Sequence, residues 1–201
     1  GIYLLKEYAC PVFVVIGERA EGEQLLLRKL VEALPGAEQN REPDMNLLVW
    51  MDNHHPAHPD SLVTLVFPRA KHRPDCYFAE GDKQYLISPG AIDMAGLIIA
   101  PKPEDFERMT PQKAASILAE VALSESEIAQ VIRRLHKGGR RVSRRKASDL
   151  FENGAEPRVA VGIMRAQRIS FVLNTEFMAK GAPVIGEQVV EYSDGGIKWN
   201  G

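Results

Sequence analysis

Met45-Asn46-Leu47-Leu48-Val49-Trp50-Met51 and Ser61-Leu62-Val63-Thr64-Leu65-Val66-Phe67 are two apolar runs flanking a polar, proline-containing segment. Branched and ring side chains pack well on a pleated surface, so the runs predict an antiparallel pair of strands joined by a long hairpin loop. Upstream, Pro11-Val12-Phe13-Val14-Val15-Ile16 predicts a buried strand that ends at Gly17. Leu27, Leu30, Val31 and Leu34 then recur at helical spacing before Pro35-Gly36, which predicts a helix over 25–34 and its stop.

Downstream, Gln84-Tyr85-Leu86-Ile87 and Gly96-Leu97-Ile98-Ile99-Ala100 predict further strands around the turn signal Ser88-Pro89-Gly90. Glu104 and Asp105 suit the first turn of a helix, where acidic groups complement the dipole, and Thr110-Pro111 restarts it. Ala114, Ile117, Leu118 and Val121 share one face of that segment, 104–123. Ser124 and Glu127 have capping-box spacing, and Ile128, Val131, Ile132 and Leu135 form the stripe of a helix over 125–135. From Arg133 to Lys146 eight cations crowd around Gly138-Gly139, which predicts a basic linker, 137–156, with binding to a phosphate polymer as the alternative. No interleaved aromatic offers a base-stacking platform there, so no specific nucleic acid is expected. Beyond Pro157 short runs such as Val159-Ala160-Val161-Gly162-Ile163 and Ile169-Ser170-Phe171-Val172-Leu173 predict the beginning of a β-rich domain, 157–201.

The fold class is therefore α+β: an antiparallel sheet with flanking helices over 1–136, the basic linker, then a short β-rich segment. With 201 residues, 45% apolar and 26% charged, the chain is long enough for a sizeable core, and its net charge of −2 excludes global attraction to nucleic acid or anionic lipid. No stretch approaches the ~18 apolar residues of a membrane span, and the opening residues lack the layout of a signal peptide. The chain opens on Gly1 rather than Met, which reads as an excised piece of a longer protein.

Four features carry candidate chemistry. His54, His55 and His58 offer three imidazoles to a metal, but Pro56 and Pro59 do not fit the helix that would align them, so a solvated loop tip is the stronger reading. Pro68-Arg69-Ala70-Lys71-His72-Arg73-Pro74 places Arg69, Lys71, His72 and Arg73 on a connector stiffened by proline, either a phosphate clamp or ordinary surface charge. The segment from Gly17 to Gly22 has the outline of a phosphate loop but neither Gly-x-Gly nor a following Lys-Ser/Thr, so nucleotide binding is not expected there. Cys10 and Cys76 are too far apart for a metal knuckle and read as buried thiols. No catalytic residue, metal or cofactor is assigned.

The strand from Leu62, then Pro68-Arg69-Ala70-Lys71-His72, Ser88-Pro89-Gly90-Ala91-Ile92-Asp93-Met94-Ala95-Gly96-Leu97-Ile98-Ile99 and Glu104-Asp105-Phe106, resembles the C-terminal half of GDP-hexose phosphorylases. These belong to the galactose-1-phosphate uridylyltransferase branch of the histidine-triad superfamily. The match is closer still to an uncharacterised bacterial domain of that type, fused to a sporulation stage-two protein D (amidase-enhancer) domain. Gly186-Glu187-Gln188-Val189-Val190-Glu191 and Gly195-Gly196-Ile197-Lys198-Trp199-Asn200-Gly201 resemble the opening of that second domain.

The resemblance implies a nucleotidyltransferase or phosphorylase whose covalent intermediate forms on a His-x-His-x-His strand, imidazole being nucleophilic near neutral pH and a good leaving group once phosphorylated. This chain contains no His-x-His-x-His. The resemblance therefore implies a non-catalytic half, inactive alone, whose partners are an upstream half-domain of the same protein and a nucleotide sugar. The alternatives are a binding or scaffolding module coupled to a cell-wall-remodelling domain and, last, a metal hydrolase using His54, His55 and His58. The histidine-triad resemblance implies a cytoplasmic location by default, the amidase-enhancer one the cell envelope.

Overall fold

The structure is a computed structural model that describes residues 1–17, 20–36, 43–52, 61–146, 150, 161–165, 168–174, 190–193 and 196–199. In chain order the elements are β1 (Ile2–Leu5), β2 (Phe13–Gly17), α1 (Ala20–Ala33), β3 (Met45–Asp52), β4 (Ser61–Pro68), α2 (Asp75–Phe78), α3 (Ala91–Met94), β5 (Leu97–Ala100), α4 (Pro103–Glu107) and α5 (Pro111–Val121). They continue with α6 (Glu125–Lys137), β6 (Val142–Arg145), β7 (Val161–Arg165), β8 (Arg168–Asn174), β9 (Val190–Ser193) and β10 (Gly196–Trp199). The chain divides into two units, Gly1–Lys71 with Ala122–Pro157, and His72–Val121 with Arg158–Gly201.

The first unit holds a five-stranded sheet of order β3-β4-β2-β1-β6. The predicted hairpin is present, with Met45 opposite Pro68 and Asp52 opposite Ser61. β2 pairs antiparallel with both β4 and β1. The sheet is nevertheless mixed rather than antiparallel, because β6 runs parallel to β1, with Ile2 opposite Val142. No hairpin joins these two strands, so no local turn dictates their direction. Instead the chain leaves α6 through Gly138 and Gly139, the latter at φ 75°, a left-handed conformation that glycine adopts without a Cβ penalty. Part of the run that composition predicts as a basic linker, 137–156, is thus strand β6.

The strands alternate strictly. Ile2, Leu4, Phe13, Val15 and Val66 face a core completed by Leu30 and Ala33 of α1 and by Ile128, Val131 and Leu135 of α6. Val14, Ile16 and Val63 face the other way and pack with Leu150, Tyr3, Leu5, Trp50 and Leu65. On the helix-covered face Thr64, opposite Val15, donates its hydroxyl to the carboxylate of Glu23 in α1; both side chains are buried. Gly17 makes this approach possible, since a Cβ there would collide with the backbone and Cβ of Glu23. The predicted capping box at the start of α6 is realised: Glu127 N–H donates to Ser124 Oγ, and Ser124 N–H donates to Glu127 Oε2 at 2.8 Å.

The second unit has a three-stranded sheet of order β5-β7-β8, with β5 and β7 parallel and β7 and β8 antiparallel, and a separate β9–β10 hairpin. Ala114, Ile117, Leu118 and Val121 form the buried face of α5, as their spacing predicts. The single helix predicted over 104–123 is two, because Pro111 has no N–H to continue α4, and Thr110 Oγ1 instead accepts from Lys113 N at 3.1 Å to open α5. Gln84–Ile87 is not a strand. Its amides are taken elsewhere: Tyr85 N–H donates to the Cys76 carbonyl at 2.9 Å and Leu86 N–H to Asp105 Oδ2 at 2.8 Å.

Two substitutions test this packing by urea unfolding. Leu30→Ala, at a fully buried position, is expected to cost about 2–5 kcal/mol. Gly17→Ala, which forces β2 and α1 apart at Glu23, is expected to cost about 1–3 kcal/mol; an unchanged midpoint for either variant contradicts the corresponding contact.

Candidate functional site

The division between units falls inside the cationic connector, leaving Arg69 and Lys71 in the first unit and His72 and Arg73 in the second. In the first, Arg69 is buried at the end of β4 and held by protein groups: Nη1 donates to Asn46 Oδ1 at 2.5 Å, and Nε and Nη2 donate to the Lys71 carbonyl at 3.3 and 3.1 Å. A guanidinium can afford burial only when its donors are matched in this way. Arg69 therefore braces the connector from within, and Lys71 contributes its carbonyl to that brace.

In the second unit His72 is exposed and Arg73 half-buried. Pro74, at φ −72° and ψ 160°, precedes α2, whose first amide, Asp75 N–H, donates to Glu120 Oε1 at 2.7 Å. One turn of helix then returns Tyr77 beneath Arg73, so that the guanidinium carbon lies 4.3 Å from the ring centroid. Arg73 Nε donates to Ser88 Oγ at 3.3 Å. Tyr77 in turn meets Phe78 edge-on, with centroids 5.1 Å apart at 71°.

Ser88 belongs to the predicted turn Ser88-Pro89-Gly90, and a buried carboxylate that composition alone does not single out pins that turn. Asp93 Oδ2 accepts from Gly90 N–H at 2.8 Å and Oδ1 from Ile99 N–H at 2.7 Å, tying the start of α3 to β5. Asp105 is used similarly, accepting from Leu86 N–H and, at 2.6 Å, from Arg108 Nη2. Arg108 also covers the Tyr85 ring at 4.0 Å, and Lys113 Nζ approaches the same ring at 4.9 Å. Both carboxylates accept backbone amides and so hold the segments beside them in place.

The thiols are not activated. Burial pushes Cys10 up to about 12, against the opposing pull of the Arg69 guanidinium. Burial also raises Cys76, against the opposing pull of Lys113, and raises the Tyr8 phenol. A neutral thiol is a poor nucleophile, so at neutral pH these groups behave as apolar core. The predicted histidine cluster, His54, His55 and His58, lies outside the described residues; among those described, no group of three or more His, Cys, Asp and Glu side chains is placed to hold a metal.

A recess of about 290 Å³ in the first unit is lined by Lys29, Glu32, Ala33, Arg134, Leu135 and Arg140. Arg134, in the last turn of α6, donates through Nη1 to the Ala33 carbonyl at 3.0 Å, so it answers the negative end of α1. No described helix is long and apolar enough to cross a membrane. No protein-family model, curated protein or solved structure matches this chain.

The buried thiol makes stability depend on pH. An unfolded chain ionises Cys10 from its ordinary 9.0 upward, while the folded chain keeps the proton to about 12, so the unfolded state binds fewer protons and stability falls as pH rises through that window. Urea unfolding at pH 8, 9 and 10 is expected to show this decline, and Cys10→Ala to make it shallower, the raised Cys76 and Tyr8 keeping part of it; equal slopes in the two proteins contradict the burial effect at Cys10.

Proposed function

We propose that this chain is the non-catalytic half of a nucleotidyltransferase-like or nucleotide-sugar phosphorylase-like protein, one that holds phosphate oxygens while another half supplies the nucleophile. The observation that carries the reading is the setting of Arg73. Its Nε is tied to Ser88 Oγ and its flat face rests on Tyr77, so the guanidinium plane is oriented before any ligand arrives. Among the described residues its two Nη groups are left to donate, which is the forked geometry that phosphate accepts. Exposed His72 adds a second donor from the adjacent residue.

Two features support the non-catalytic part. The His-x-His-x-His strand on which such enzymes carry the nucleotidyl group is not in the sequence. The cysteine thiols, the other soft nucleophiles, are held protonated by burial. A half that binds without reacting needs cations of fixed orientation and no activated nucleophile, and the second unit supplies the former.

Calorimetric titration of the chain with GDP-mannose and GDP-glucose tests the proposal. Binding is expected, with Arg73→Ala weakening it about tenfold or more, as for loss of a hydrogen bond to a charged group, and with no release of GDP when inorganic phosphate is added. Absence of heat with either compound rejects the phosphate contact and leaves the scaffolding alternative. Turnover by the isolated chain rejects the non-catalytic assignment.

A further inference from the structure

Among the described residues Phe78 is the most exposed large apolar side chain, at 69%, while Cys76 two positions earlier in the same short helix is buried. A single exposed apolar residue is ordinary on a protein surface. Phe78 is set apart by what stands next to it. The Arg73 guanidinium lies on Tyr77, and Tyr77 meets Phe78 at 5.1 Å, so a cation, a ring and a solvent-open ring follow one another within one unit. The fixed charge and the free aromatic face are thus one ring apart.

We infer that Phe78 is the stacking platform for the base of a nucleotide whose phosphates are held by Arg73 and His72. The inference rests on the phosphate site proposed above and adds to it the residue that takes the base. The chemistry follows from shape. A nucleobase is flat and aromatic and is joined to its phosphates through one sugar ring, so stacking on Phe78 leaves the phosphate end free to reach the neighbouring cations. Every base has a π-face, and a phenyl ring offers no hydrogen bond to discriminate among them. Phe78 therefore contributes affinity for the base without choosing which base, and GDP and ADP gain alike from it.

The test compares GDP, ADP and pyrophosphate as calorimetric ligands for the chain, Phe78→Ala and Phe78→Trp. Loss of a stacked base typically costs about tenfold or more in affinity, so Phe78→Ala is expected to weaken GDP and ADP by that factor and to leave pyrophosphate unchanged. Phe78→Trp is expected to restore nucleotide binding and to add an indole fluorescence, over that of the parent chain, that GDP quenches and pyrophosphate does not. Because the side chain is 69% exposed, the variants are expected to unfold at the parent's urea midpoint. Equal GDP affinity in the parent and Phe78→Ala overturns the inference. If pyrophosphate binding still depends on Arg73 in that case, the phosphate site stands without its platform; if neither GDP nor pyrophosphate binds the parent, the phosphate site and the platform fall together.

Discussion

β2 has no solvent side. Phe13, Val14 and Val15 are each fully buried, and successive side chains of a strand point to opposite faces, so both faces of the sheet must be covered along this one strand. Burying such side chains contributes about 1.5–3 kcal/mol each, which makes their exposure on either face the costliest error open to the first unit. The arrangement of that unit follows from the requirement. β1 and β4 flank β2, α1 and α6 cover the face of Phe13 and Val15, and Trp50, Leu65 and Leu150 pack on the face of Val14. The sheet's edges are left to β3 and to β6, and in β6 three of the four residues are exposed and two are arginines. Charge on an edge strand opposes further pairing, so the same residues that make the run basic also close the sheet.

Polar groups inside both units are placed to satisfy backbone or each other. Glu23 and Thr64 join α1 to the sheet, Asp105 takes the amide of Leu86 in a segment that belongs to no strand, and Asp93 links the Gly90 amide of the turn to the Ile99 amide of β5. Such bonds are costly to break once water is excluded, which makes the turns they hold rigid. The consequence reaches the candidate site. Ser88 orients Arg73, and the turn containing Ser88 is anchored through Gly90 to a carboxylate buried in the second unit. A positioned cation requires a rigid neighbour, and Asp93 provides it at one remove.

The connector shows how similar residues acquire different duties. Arg69 and Arg73 are four positions apart, both arginine and both between the same two prolines. Asn46 of β3 captures the first, burying it, while Tyr77 and Ser88 only orient the second. Their roles depend on what the fold brings against them, a strand in one case and a short helix and turn in the other.

Periodicity makes the β3–β4 hairpin, α1, the buried face of α5 and the capped start of α6 legible in the residues themselves, because each buries a stripe whose spacing is set by its own backbone. The order of cations along the connector is legible for the same reason. β1 is too short, at four residues, to carry a periodic signal, β6 is concealed by its charge, and the apolar run Gln84–Ile87 imitates a strand although Cys76 and Asp105 take its amides. Nor does residue order reveal that Arg69 is enclosed or that Phe78 faces water. Local pattern is governed by interactions within a few residues, and it settles which segments are helical or extended and where the charges fall. Strand direction, the partner of each buried polar group and the exposure of each ring depend on contacts between distant residues, which exist only once the chain has closed around its cores.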